Sequence, residues 1–158
     1  MNVRRARDDE FGALVDLWER SVRATHRFLG EQDVLALRPL VAAGFASDGI
    51  EWWVAADPLD APVAFLGYSP GVIEGLFVDP PHRGHGAGTL LVAHAQLLAA
   101  GPLCVDVNEQ NELARGFYEV LGFSVVGRSA TDDAGRPYPI LHMLRGARGA
   151  RAWSGPNS

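Results

Sequence analysis

The chain has one cysteine in 158 residues, Cys104, so it has no partner for an intrachain disulfide. Cys104 sits in the apolar run 103–107 and is expected to be a buried strand residue rather than a reactive thiol. Long hydrophobic runs are also missing: none approaches the roughly 20 residues needed to cross a bilayer. The opening residues, Met1-Asn2-Val3-Arg4-Arg5, lead straight into charge with no apolar signal-peptide core. A cytoplasmic protein with no membrane partner is therefore expected. There is no basic excess either. The formal net charge is −5, which argues against nucleic acid as a partner. Hydrophobic residues at 47% and charged residues at 21% fit an ordinary globular domain. The length suits one domain better than two. Residues 1–145 are expected to form it, and 146–158, with Arg148 and Arg151 among Gly, Ala, Ser and Pro, read as a mobile tail.

Periodicity places the elements. A short strand is expected near residues 3–6, then a helix capped by Asp8 with Phe11, Leu14, Val15, Trp18 and Val22 on one face. Residues 28–30 break it, and a second helix covers about 31–43. Strand-like segments at 51–56, 62–68 and 72–78 form a meander, joined by turn-rich Asp57-Pro58-Leu59-Asp60 and Ser69-Pro70-Gly71. A helix runs from the next loop to about residue 99, where Gly101-Pro102 stops it. A strand at 103–107, a helix opening at Asn111, and a hairpin turning at 132–135 complete a mixed α/β order.

The densest signal is VDPPHRGHGAGTL at residues 78–90. A strand that enters a glycine-rich turn opening a helix leaves backbone N–H groups free at a positive helix end, which makes a cradle for an anion. Gly84, Gly86 and Gly88 keep the backbone bare, and Arg83 adds a fixed charge. A nucleotide-triphosphate loop would need lysine before its Ser/Thr, and Thr89 follows Gly88 instead. A dinucleotide fingerprint from Gly84 and Gly86 meets threonine where its third glycine belongs, although Asp106 lies near the ribose-binding distance. That fingerprint also belongs in a first strand–helix unit, and here more than 70 residues of other structure come first.

The remaining pattern, R-x-x-G-x-G at Arg83, Gly86 and Gly88, resembles the pyrophosphate loop of the GNAT N-acetyltransferase superfamily. The segment VNEQNELARGFYEVLGF at 107–123 supports it, with Asn111, Ala114, Tyr118, Gly122 and Phe123 at that family's positions. Asn111 and Tyr118 lie about two helical turns apart, on one face. Segments 21–34 and 128–143 resemble the bacterial YjaB-type branch, so the likeness covers nearly all of 3–145. It implies a single-domain GNAT fold: a mixed central sheet flanked by helices, with the strands ending at Val78 and Val107 parallel and splayed. It also implies acetyl-CoA as co-substrate and transfer of its acetyl group to a primary amine of a small molecule or protein. A catalytically silent acetyl-CoA-binding sensor or regulatory module is the alternative. Monomer and homodimer both remain open.

The resemblance assigns coenzyme binding to main chain at Leu76, Phe77 and Val78 and to the loop Arg83, Gly84, His85, Gly86, Ala87, Gly88 and Thr89, while Asn108 and Asn111 are expected to bond the pantetheine amides or to fix the helix end. Transfer from a thioester needs a neutral amine, an oxyanion donor and a proton for the leaving sulfur. A phenol near pKa 10 suits the last task, and Tyr118 is the candidate. Glu74 is the candidate base, because regular alternation would put it on the side of Leu76 and Val78. A solvated strand carboxylate is an equal alternative, and His26 or a water chain could serve instead. Trp18, Thr25, His26, Phe28 and Tyr138 fall where the family's acceptor pocket lies. No metal is expected: His82 and His85 are spaced like ligands but lack further partners.

Overall fold

The computed structural model describes residues 1–146. Its elements are β1 (Asn2–Arg5), α1 (Phe11–Thr25), α2 (Glu31–Gly44), β2 (Glu51–Ala56), β3 (Pro62–Ser69), β4 (Val72–Val78), α3 (Ala87–Ala99), β5 (Leu103–Asn108), α4 (Glu112–Val120), β6 (Ser124–Ser129) and β7 (Ile140–Arg145). One seven-stranded sheet has the order β1-β2-β3-β4-β5-β7-β6. The central strand β3 is apolar almost throughout because helices cover both of its faces. On one side Leu14, Trp18, Val22, Val34 and Phe45 pack on Val54 and Phe65. On the other, Leu91, Val92 and Ala95 of α3 and Tyr118 of α4 pack on Leu66, Ile73 and Val105.

The pairing of β4 with β5 decides where a ligand can enter. It is the parallel contact in the sheet, and its register holds only Val72↔Cys104 and Ile73↔Val105. Beyond those pairs, β4 continues to Val78 against β3, and β5 to Asn108 against β7. The strands are therefore joined at their starts and part toward their C-terminal ends. Main-chain groups from Gly75 to Val78 are left without a β5 partner. The expected splay is present.

A bulge between Gly67 and Tyr68 changes the faces of β4. Tyr68 opposes Ile73 whereas Gly67 opposes Gly75, so Glu74 is the extra residue. Ile73, not Glu74, shares the α3 face with Leu76 and Val78. The helix starts also differ in detail. Asp8 makes no side-chain cap, and residues Asp8–Glu10 form a 3-10 turn instead. The Glu10 carboxylate accepts the Arg7 N–H at 2.9 Å and holds both terminal nitrogens of the Arg4 guanidinium. α4 starts as the sequence suggests, with Asn111 Oδ1 accepting the Ala114 N–H at 3.1 Å. Cys104 is half-buried in β5. The expected tail, Gly146 apart, lies outside the described residues.

Candidate active site

The glycine loop takes its shape from two backbone positions. Gly84 and Gly86 have φ of +79° and +88°, a region where a Cβ is strained. Gly86 is also the residue before α3, so the first amides of the helix point back into the loop. Gly88 is needed for space instead: a Cβ there would stand 3.2 Å from Phe117 Cζ. A 3-10 turn over Pro80–His82 leads into the loop. Asp79 at its start accepts two hydrogen bonds from Arg20, both 2.9 Å, which tie α1 to the loop.

These parts surround a cavity of about 510 Å³ at the open end of the β4–β5 gap. Its walls are the end of α1 at Ser21, Thr25 and His26; β4 at Leu76, Phe77 and Val78; the loop from His82 to Thr89 without His85; and α4 with its cap at Asn111, Leu113, Ala114, Phe117 and Tyr118. Arg83 is exposed and makes no ion pair among the described residues, so its guanidinium is available to an anion. Orphan amides, an uncommitted guanidinium and unpaired β4 backbone suit the diphosphate and amide arm of a coenzyme A thioester.

Tyr118 lies against the cavity, 5% exposed, with its ring edge-on to Phe117 and Phe123. Burial pushes its phenol well above the usual range near 10. It therefore holds its proton more tightly than the sequence suggested, and its hydroxyl has no protein hydrogen-bond partner among the described residues.

His26 belongs to a directed chain of hydrogen bonds. Thr25 Oγ1 donates to the Ser21 carbonyl at 2.8 Å, so it must accept the His26 Nδ1–H at 2.9 Å. At the other end Asn111 spends its oxygen on Ala114, so its Nδ2–H faces His26 Nε2 at 3.2 Å. Both ring nitrogens are engaged in the neutral state, and burial lowers the imidazole pKa to about 4. The chain bridges the cleft from α1 to α4.

Other sequence candidates are placed differently. Glu74 is exposed outside the cleft and accepts a 2.6 Å bond from Ser69 Oγ, because the bulge removed it from the face of Leu76. Trp18 is a core residue, 4% exposed under the sheet, rather than an acceptor contact. The Asn108 side chain does not line the cavity, and its carbonyl accepts the Asn111 N–H at 2.9 Å. His85 is exposed at the loop tip. Phe28 packs tilted between His26 and Tyr138, its ring centroid 5.5 Å from each neighbour. Tyr138 donates to Asp33 Oδ2 at 2.7 Å, which holds that carboxylate below its usual range and raises the phenol. The sequence reading missed Ser21, whose position one turn before Thr25 was the available signal. It also missed Phe117, whose contact with Gly88 crosses two elements. No cluster of three or more His, Cys, Asp or Glu that could hold a metal ion occurs among the described residues.

An open β4–β5 splay with an amide cradle at one mouth defines an acyl-CoA-dependent N-acetyltransferase site. Comparison with known proteins agrees. Residues 48–125 match the acetyltransferase (GNAT) domain model. The chain is 44% identical over 144 residues to the peptidyl-lysine N-acetyltransferase YjaB of Salmonella typhimurium, covering 91% of this chain and 97% of that protein. It is 45% identical over 143 residues to YjaB of Escherichia coli K12, covering 90% and 95%. The solution structure of apo-form E. coli YjaB superposes with a TM-score of 0.85 at 44% identity, over 92% and 98% of the two chains. The chain belongs to the GNAT acetyltransferase family, and it is an acetyl-CoA-dependent N-acetyltransferase.

Proposed function

We propose that this enzyme acetylates the ε-amine of lysine side chains in other proteins, with Tyr118 protonating the leaving sulfur. The observation that carries the acceptor class is the 44–45% identity to two peptidyl-lysine N-acetyltransferases along nine-tenths of the chain. That span includes the α1–α2 connection, whose residues His26, Arg27 and Phe28 border the cleft and its side cavity. A cytoplasmic setting goes with this reading, since acetyl-CoA is drawn from there.

The residues divide the chemistry. The amides at the start of α3 and Arg83 hold the diphosphate, and the diverging strands leave room for the thioester arm. The β4 main chain at residues 76–78 offers N–H groups to the carbonyl oxygen as the neutral amine attacks and negative charge develops. When the carbon–sulfur bond breaks, the Tyr118 hydroxyl passes its proton to the thiolate, and the new N–C bond yields the amide and free coenzyme. Burial keeps that hydroxyl protonated throughout the working pH range but also makes it a weaker acid, so the proton moves only as full negative charge develops on the sulfur. The phenolate it leaves is costly in the same surroundings and regains a proton promptly.

Among the described residues, no carboxylate lines the cavity. With its lone pair engaged by Asn111 and its basicity lowered, His26 fits a role in positioning Asn111 better than proton abstraction. The amine proton accordingly leaves through water at the mouth.

Incubation with acetyl-CoA against a panel of lysine peptides, proteins and small amines tests the acceptor, reading coenzyme release and acetyl addition by mass spectrometry. Acetyl groups on internal lysines are expected. Transfer confined to small amines would overturn the reading.

A further inference from the structure

The described arginines of this chain are almost all spoken for. Every described arginine except two is held by a carboxylate or, for Arg145, by the Leu121 carbonyl. The exceptions are Arg27, in the connection between α1 and α2, and Arg83, in the glycine loop. In a chain of net charge −5, chance alone would give each an acidic neighbour easily. Instead both line one cavity of about 540 Å³, whose other walls are Ala24, Thr25, Phe28, Gln110 and Leu113. None of these is a carboxylate. Two guanidiniums facing one space repel each other until an anion enters.

This cavity adjoins the coenzyme cleft, because Thr25, Arg83 and Leu113 line both. A ligand gripped at the glycine loop can therefore extend into it. Coenzyme A carries its diphosphate and a ribose 3′-phosphate within one nucleotide, and the α3 amides with Arg83 account for the first. We propose that Arg27 binds the ribose 3′-phosphate, so that the cavity between α1 and the glycine loop distinguishes coenzyme A from its 3′-dephospho form. A phosphate dianion suits paired guanidiniums better than a single carboxylate from an acceptor does, since each planar fork can donate two hydrogen bonds to phosphate oxygens. Arg83 belongs to the phosphate loop and shares the cavity, which favours the coenzyme over an acidic acceptor side chain. The inference rests on coenzyme binding and is independent of the acceptor.

The test is calorimetric titration of the full chain with coenzyme A and with 3′-dephospho-coenzyme A, for the wild type, Arg27→Gln, Arg27→Lys and Arg83→Gln. The wild type should bind coenzyme A about tenfold or more tighter than the dephospho form, the scale of a charge-assisted hydrogen bond. Arg27→Gln should abolish that preference while leaving affinity for the dephospho form within about twofold. Arg27→Lys should keep part of it, and Arg83→Gln should weaken both ligands. An equal loss for both ligands in Arg27→Gln, or a preference that survives it, overturns the assignment. Unchanged coenzyme affinity with a raised KM for acidic peptides also overturns it, by giving Arg27 to the acceptor. Failure of the wild type to bind either ligand would sink the glycine-loop grip itself, a separate outcome. Circular dichroism of each variant separates lost contacts from lost folding.

Discussion

Asn111 and His26 share a 3.2 Å hydrogen bond whose direction is dictated at both ends, by the Ala114 amide and the Ser21 carbonyl. The cap of α4 and the last turn of α1 thus stabilise each other across the cleft only while the imidazole is neutral.

The pH dependence follows from that neutrality. The imidazole pKa drops from 6.5 to about 4 on folding, so between those values the unfolded chain takes up a proton that the folded chain refuses. The stability contributed by neutral His26 is fully present above pH 6.5 and declines as pH falls toward 4. The loss should be on the order of 2 kcal/mol, allowing for the ring's part exposure. Urea unfolding of the wild type and His26→Gln across this range checks it: the wild type should lose stability faster, and parallel curves would refute the idea.

Replacing Tyr118 with Phe removes one oxygen at a buried position and leaves the ring packing of Phe117 and Phe123 in place. Turnover should fall by about 100-fold while KM for acetyl-CoA changes little. A variant with wild-type turnover from pH 6 to 9 would remove Tyr118 from the acid role.

Glu74→Gln should leave kcat/KM within about twofold of the wild type, as expected for an exposed surface change. Its carboxylate is bonded to Ser69 outside the cleft. A large, pH-dependent loss of rate would restore it as the base.

Gly86→Ala places a Cβ at φ +88°, and should lower stability by about 1 kcal/mol through the left-handed backbone alone. Because the same residue aims the first amides of α3, coenzyme affinity should fall more than the melting temperature suggests. Titration calorimetry beside thermal denaturation separates the two effects; intact affinity would show that the loop tolerates another shape.

Local rules made much of this legible in the sequence. Asn111 caps α4 because a short polar side chain reaches the first turn whatever surrounds it, and the glycines mark a loop that other residues cannot follow. The order of strands and helices likewise follows from period and punctuation. Glu74 was misread because a bulge is set by the fit of two strands, not by either one alone. Trp18 is similar: one face of α1 looks uniform in sequence, and only its packing on Val54 and Phe65 separates core from cleft. The His26–Asn111 bond and the shared cavity of Arg27 and Arg83 join residues far apart in the chain, where no periodicity can report.

The narrow seam between β4 and β5 has a mechanical consequence. Two leaves of sheet, one of four strands and one of three, meet through two rungs and are otherwise held by helices laid over them. A pantetheine arm carries its own amides, so on entering it can supply rungs that the polypeptide omits. A co-substrate bound in that gap would act as a temporary strand, and its release would leave the two leaves joined by two residue pairs again.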